Sequence, residues 1–307
     1  MLSLVRSLPL RPRQHDALGS LNADAFLIVR AVPCTISAAM IFADLELSRR
    51  LERAEGQACL EHARARQRLF PESGADWMEC AGTYVVFDGI DSPVTQTFGL
   101  GMFEKLTAAS LDTIERFFLD RGAPVFHEVS PFAGVETLAL LCQRNYRPVE
   151  TSSALFQPVE CPLPQKDEKI SVRLAGPSEA QLWSDVAAKG WTHDDPELRE
   201  FFLDFGAIMT ARAGNVCFLA ELDGEPGATG ALSIHDGVAV FAGAATLPEF
   251  RRRGLQGALL NERMRYAHDH GCDLAMMVAM PGSDSQRNAE RTGFRIAYTR
   301  TKWKLIT

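Results

Sequence analysis

The chain has 307 residues, a formal net charge of −7, 46% hydrophobic residues and 23% charged ones. That length suits two domains of ordinary size, and the composition is that of a globular protein. The acidic balance argues against nucleic acid or an anionic membrane surface as the main partner, yet one local cluster of arginines suffices for a small anion.

The opening stretch MLSLVRSLPLRPRQ carries three arginines and no acid. It lacks a sustained apolar core and a small-residue cleavage site, so it reads as a loose tail rather than a targeting segment. ADLELSRRLERAEGQACLEHARARQRLF (43–70) has helical periodicity, and WMECAGTYVVFDG and TQTFGLGMF read as strands. TAASLDTIERFFLDRG predicts a helix stopped by Gly122, and APVFHEVSP a short strand ending in Pro131. LCQRNYRPVETSSALFQPV closes a helix, turns, and continues as a period-two strand. The polar, proline-bearing VECPLPQKDEK (159–169) is the natural linker.

Beyond it, SEAQLWSDVAAKGW and PELREFFLDFGAIMTARAG predict two helices, and VCFLAELDGEPGATGALSIHDG a pair of strands. VAVFAGAATL is a near-continuous apolar run, expected to be a strand buried on both faces. LQGALLNERMRYAHDHG predicts a helix ending at Gly271, CDLAMMVAMP a strand, and AERTGFRIAYTRTKWKLIT a helix end, turn and final strand.

The final strands of the two halves stand 148 residues apart, and the strand–helix–strand–helix run before each of them matches at nearly the same offset. The chain therefore reads as two copies of one α/β unit, 1–163 and 164–307.

The most informative stretch is PEFRRRGLQGALL (248–260), at the joint between the buried strand and the helix. The first backbone N–H groups of a helix have no intrahelical partner and carry the positive end of its dipole. With Gly254 removing a side chain and Arg251, Arg252 and Arg253 beside it, these donors predict a pyrophosphate cradle.

This segment resembles the acetyl-CoA signature of the GCN5-related N-acetyltransferases, (Q/R)xxGx(G/A). Arg251 falls on its first position and Gly254 on its glycine; Gln256 departs from the final Gly/Ala, with Gly257 directly after it. The resemblance spans about 170–307 and implies a fold of two tandem acyl-CoA N-acyltransferase-like domains, each a mixed, mostly antiparallel sheet flanked by helices. It further implies that Ala244, Ala245 and Thr246 pair their backbone with pantetheine. Arg251–Gly257, including Leu255, would hold the diphosphate, with Ser283 and Asn288 as further contacts. In the first copy FEKLTA (103–108) stands at this turn, with Phe103 for Arg251, Leu106 for Gly254 and an added Glu104, which predicts a copy that no longer holds CoA.

The implied chemistry is direct transfer of an acetyl group from acetyl-CoA to a primary amine of a small molecule, needing one proton acceptor and one donor. The family's tyrosine donor falls on Ala289 here, so Tyr298 is the substitute candidate. For the base, Glu221 is the leading choice among Glu221, His235, Asp236 and Glu249. The alternative is a non-catalytic acyl-CoA sensor. Asp194 and Asp195, in the loop between the early helices, are placed to attract an amine or to cap the helix that follows.

Seven scattered cysteines without a CxxC pair read as reduced thiols in the cytoplasm. His268, His270 and Cys272 alternate across a helix end and read as terminus residues, so no metal is expected. No apolar run approaches a membrane span. The oligomeric state is not readable.

Overall fold

A computed structural model describes residues 41–160, 169–192 and 199–306. The N-terminal tail, most of the linker, Asp194 and Asp195 lie outside the described residues. The described residues form one compact unit.

The first half consists of α1 (Leu45–Leu69), β1 (Asp76–Cys80), β2 (Thr83–Phe87), β3 (Gln96–Phe98), α2 (Ala108–Leu119), β4 (Phe126–Val129), α3 (Gly134–Gln143) and β5 (Tyr146–Pro158). The second consists of β6 (Ile170–Leu174), α4 (Ala180–Trp191), α5 (Arg199–Ala211), β7 (Asn215–Leu222), β8 (Glu225–His235), β9 (Val238–Thr246), α6 (Leu255–Asp269), β10 (Leu274–Ala279), α7 (Asp284–Arg291) and β11 (Arg295–Leu305). In each half a hairpin leads to a third strand, a helix, a strand parallel to the third, a short helix and a long final strand.

Local chemistry sets these elements. The hairpins β1–β2, β7–β8 and β8–β9 turn on Ala81–Gly82, Asp223–Gly224 and Asp236–Gly237, all at positive φ. That is the two-residue turn whose twist matches paired strands. Asp44 caps α1 by accepting from the Leu47 N–H at 2.9 Å. Leu47, Leu51, Ala54 and Ala58 then form an apolar stripe at helical spacing against the sheet. Gly56 lets the helix lie on Tyr84, since a Cβ there would stand 2.4 Å from the Tyr84 ring.

Among the described residues all eleven strands join one sheet, in the order β1-β2-β3-β4-β11-β5-β10-β9-β8-β7-β6. The final strands are exchanged. β5, from the first half, pairs with β10 of the second, and β11, from the second, pairs with β4 of the first. At the centre β5 and β11 run antiparallel from Arg295↔Phe156 to Leu305↔Tyr146. Helices α1, α4 and α5 cover one face. α2 and α6 pack on the other.

Two buried polar networks fasten the exchange. Arg300 on β11 is 2% exposed and sits among Glu55, Glu52 and Glu128, its Nη2 2.7 Å from Glu55 and its Nε 3.0 Å from Glu128. Glu52, fully buried on α1, also accepts from the Tyr298 hydroxyl at 2.8 Å and the Gly99 N–H at 3.1 Å. Burial raises the Glu52 carboxyl above its usual range, with Arg300 opposing. In the second network, the Thr97 hydroxyl donates to His127 Nδ1 (2.8 Å). His127 Nε2 donates to the Tyr146 hydroxyl (2.9 Å), which donates to Glu115 (3.1 Å). Burial pushes the His127 imidazole down to about 3.

The His127 shift fixes a pH dependence. The unfolded chain takes up a proton on this residue below its ordinary value of 6.5, while the folded chain holds it neutral down to about 3. Stability therefore falls as pH drops through that window, by at most about 1.4 kcal/mol per pH unit from this group. Urea midpoints measured from pH 7.5 to 4.5 are expected to fall less steeply for His127→Gln than for the unsubstituted protein.

Candidate functional site

The site lies where β9 and β10 separate. The two parallel strands pair only over Val238–Val240 and Leu274–Met276. Past that point β9 continues to Thr246 through a bulge: its register with β8 slips between Thr229 and Ala231, and Gly243 takes a φ of +63°. A bulge turns the strand and re-aims its backbone. Arg263 of α6 holds it, with Nη1 donating to the Ala231 and Ala242 carbonyls at 3.3 and 3.4 Å and the guanidinium over the Phe241 ring. Burial without a carboxylate partner pushes Arg263 down to about 9. In sequence it looked like one more solvent-facing charge of a helix; only the glycine at 230, whose absent Cβ leaves room for the guanidinium, hinted otherwise.

From the end of β9 a single turn leads into α6. Arg252, at φ +61°, and Gly254, at φ +89°, both adopt left-handed backbone. A Cβ on Gly254 would be strained there and would stand 3.2 Å from Ile170. Among the described residues no side chain caps α6, whereas Asp44, Thr107 and Ser283 cap α1, α2 and α7. Its first turn is therefore a bare set of donors at the positive end of a 15-residue helix. The three arginines are exposed, and among the described residues none is paired with a carboxylate. Nothing lies within 4 Å of a Cβ built on Gly257, so the mouth above the first turn is open.

Side chains fasten the strand to its surroundings. Gln256 Nε2 donates to the Ala245 carbonyl and to the Thr246 hydroxyl, both at 2.8 Å. Its departure from Gly or Ala thus ties helix to strand instead of filling the mouth. Trp191 Nε1 donates to the Ala244 carbonyl at 2.9 Å, and Arg251 Nη2 to the Gly190 carbonyl at 3.2 Å. A carbonyl oxygen has two lone pairs, so that of Ala244, which has no partner in the β8–β9 register, can accept a second donor.

The structure thus gathers Ala244, Ala245, Thr246 and Arg251–Gly257 at one end of β9. Leu255 contributes backbone only, its side chain being buried in the core. Ser283 stands at the start of α7, beyond the far strand β10, where its hydroxyl accepts from the Gln286 N–H at 3.2 Å, and Asn288 lies on the same helix. The two proposed proton carriers do not join this group. Tyr298 is on β11, separated from β9 by β5 and β10, and its buried hydroxyl is bound to Glu52. Glu221 is on β7, two strands to the other side, in an ion pair with Arg173 at 2.8 Å that also includes Glu179. His235 and Asp236 sit at the opposite end of β9.

In the first half the equivalent place is closed. β3 and β4 also pair and part, but Glu52 occupies the Gly99 N–H just past β3. Thr107 and Ser110 close the start of α2 with a reciprocal capping box. Phe103 and the buried Leu106 stand in the intervening turn.

A model of the acetyltransferase (GNAT) family matches residues 179–294. Among solved structures, the chain resembles a GCN5-related N-acetyltransferase from Kribbella flavida, with TM-score 0.63 and 19% identity over 85% of this chain and 96% of that one. A tandem GNAT protein from the clavulanic acid biosynthesis pathway matches with TM-score 0.51 and 11% identity, over 73% and 79% of the two chains. At such identities the likeness is one of fold. No curated protein matches the chain.

Gly190 measures how tightly α4 is held to the site: a Cβ there would meet the Ala245 Cβ at 2.9 Å and the Thr246 nitrogen at 3.0 Å. Gly190→Ala is expected to cost about 1–3 kcal/mol by overpacking, read as a lowered melting temperature. The segment that the acetyltransferase (GNAT) family model matches, residues 179–294, encloses the parted strands and the uncapped helix.

Proposed function

We propose that residues 164–307 bind acetyl-CoA and transfer its acetyl group to a primary amine of a small molecule, and that residues 1–163 are a second copy of the unit that no longer holds CoA. The observation that carries this reading is the uncapped start of α6 beside the opening between β9 and β10, inside the family segment. The closed start of α2 supports the asymmetry between the copies.

The site's residues fit the group. The N–H donors of residues 255–257 and the exposed Arg251, Arg252 and Arg253 are suited to a diphosphate. The Ala244–Thr246 backbone is suited to an extended amide-bearing chain laid along a strand edge. Bound there, acetyl-CoA would supply an acyl group already activated as a thioester. The chain's part is to fix that group, keep β10 apart from β9 and admit an uncharged amine. No side chain is assigned to proton transfer, because Tyr298 and Glu221 are committed elsewhere. Solvent reaching the open mouth is the proton acceptor in this reading.

That same absence, with Ala289 at the position of the family's tyrosine, favours a second reading, an acyl-CoA sensor without turnover. Release of free CoA thiol across a panel of small primary amines separates the two: turnover supports the enzyme, and binding without turnover on any amine supports the sensor.

The binding premise has a test in which stability and affinity move in opposite directions. Gly257→Glu puts a carboxylate in open space in the first turn of α6. Exchanging glycine for a better helix former, acidic at the N-terminus, is expected to stabilise the fold by about 0.5–1 kcal/mol. The same carboxylate is expected to weaken acetyl-CoA binding at least tenfold by calorimetry. Unchanged affinity would remove the cradle from the account.

A further inference from the structure

At the other end of β9 lies a cavity of about 430 Å³ built by both halves. The first half supplies the solvent-facing side of α1 and the turn after β3; the second supplies the β8–β9 hairpin. Its floor includes Ala54 and Val238, both in the apolar cluster with Leu51, Val240 and Met276. The cluster fills the paired segment of β9 and β10, so a ligand in the cavity has no route to the opening beyond Val240.

The walls are charged and preset. Phe103 stands where the second copy has Arg251. Here its ring is a platform, seated by Gly82 and Gly99, both at positive φ: a Cβ on Gly99 would stand 2.6 Å from the ring, and one on Gly82 2.6 Å from the Phe103 Cβ. Arg53 lies over that ring, 4.5 Å from its centroid, with no carboxylate partner among the described residues. Arg49 donates through Nε to the Met102 carbonyl at 2.6 Å, which orients the side chain and leaves its two terminal nitrogens without a hydrogen-bond partner among the described residues. Arg50 is spent on a two-pronged pair with Asp273. Asp236 faces these from the hairpin, fixed by the tight turn it shares with Gly237, and Glu46 stands beside them on α1, one turn before Arg49 and Arg50; neither carboxylate is within ion-pair distance of a cation among the described residues.

We propose that this cavity is a second ligand site, separate from the acyl-transfer site, for a small zwitterion of the amino-acid type. The Arg53 guanidinium and the terminal nitrogens of Arg49 hold the carboxylate, and the carboxylates of Glu46 and Asp236 hold the ammonium. A simple anion would meet Glu46 and Asp236, and a simple amine would meet Arg49 and Arg53; a ligand carrying both charges satisfies all four. The volume is within the range of small-molecule sites. Because the walls come from both copies, the site exists only in the joined protein.

The test screens the full chain, without acetyl-CoA, against each of the twenty proteinogenic amino acids by thermal shift, and measures hits by calorimetry. At least one is expected to bind, with affinity falling tenfold or more in Arg53→Gln and in Glu46→Gln, both at surface positions of α1. Analogues of the hit lacking either the α-carboxylate or the α-amine are expected to lose binding. Affinity is expected to be unchanged in Gly257→Glu. The proposal is overturned if none of the twenty binds, or if binding ignores both α1 substitutions in variants that circular dichroism shows folded. It is equally overturned if binding is lost in Gly257→Glu or displaced by acetyl-CoA, which would put the ligand in the transfer site. Since the readout needs no acetyl-CoA, a failure of acetyl-CoA to bind leaves this result standing.

Discussion

β10 pairs with β9 over three residues and with β5 over six, Leu274↔Pro158 to Ala279↔Ser153. The far wall of the opening is therefore held in place by a strand of the other half. A parallel pair that parts after one turn of ladder leaves unpaired edges, and such edges persist only when each strand is secured on its other side. β8 secures β9 and β5 secures β10. The exchange of final strands is thus the constraint on which the geometry of the candidate site rests. It also makes the first half necessary to the geometry of the second.

The same constraint explains the buried charge. Where β11 crosses into the first half it brings Arg300 under α1, and three carboxylates from α1 and β4 meet it. Removing one member of such a set leaves a charge buried without compensation, which is far costlier than the intact set is favourable. The network therefore specifies which strand lies beside β4 more than it adds net stability. Glu52 has a second effect, since binding the Gly99 N–H satisfies the very donor that the parting of β3 and β4 sets free. The two copies differ in how they answer one problem, backbone groups freed by parted strands and a helix start. The first answers it with its own side chains, and the second leaves the helix start open.

Much of this was legible in the sequence. The glycine stops of α2 and α6 and the arginine–glycine turn are local signals, each tied to a backbone conformation that few residues adopt. What was not legible depends on partners distant along the chain. β5 and β11 share one period-two pattern, so nothing in either says which sheet edge it will take. The facing of Tyr298 followed from that exchange, and with it the burial of its hydroxyl against Glu52. Arg263, Glu52 and Arg300 sit in ordinary charged helix and strand patterns. Their burial comes from a bulge and a crossing that exist only in three dimensions. Glu221 is a similar case, an acid on a strand whose neighbour supplies an arginine.

α1 brings these threads together, being a single helix of 25 residues in contact with both halves. Its apolar stripe backs the paired segment of β9, its Glu52 stops the Gly99 N–H, and its solvent side carries Arg49 and Arg53. A helix bonded along its length moves nearly as a rigid body, so none of these three faces can shift without the others. The core behind β9 is close-packed and resists small displacements. The outer face of α1 and the start of α6 therefore stand at opposite ends of one strand, β9. A ligand seated there and a ligand held by α6 would share β9 as their common element, with α1 setting its position from one end and α6 from the other.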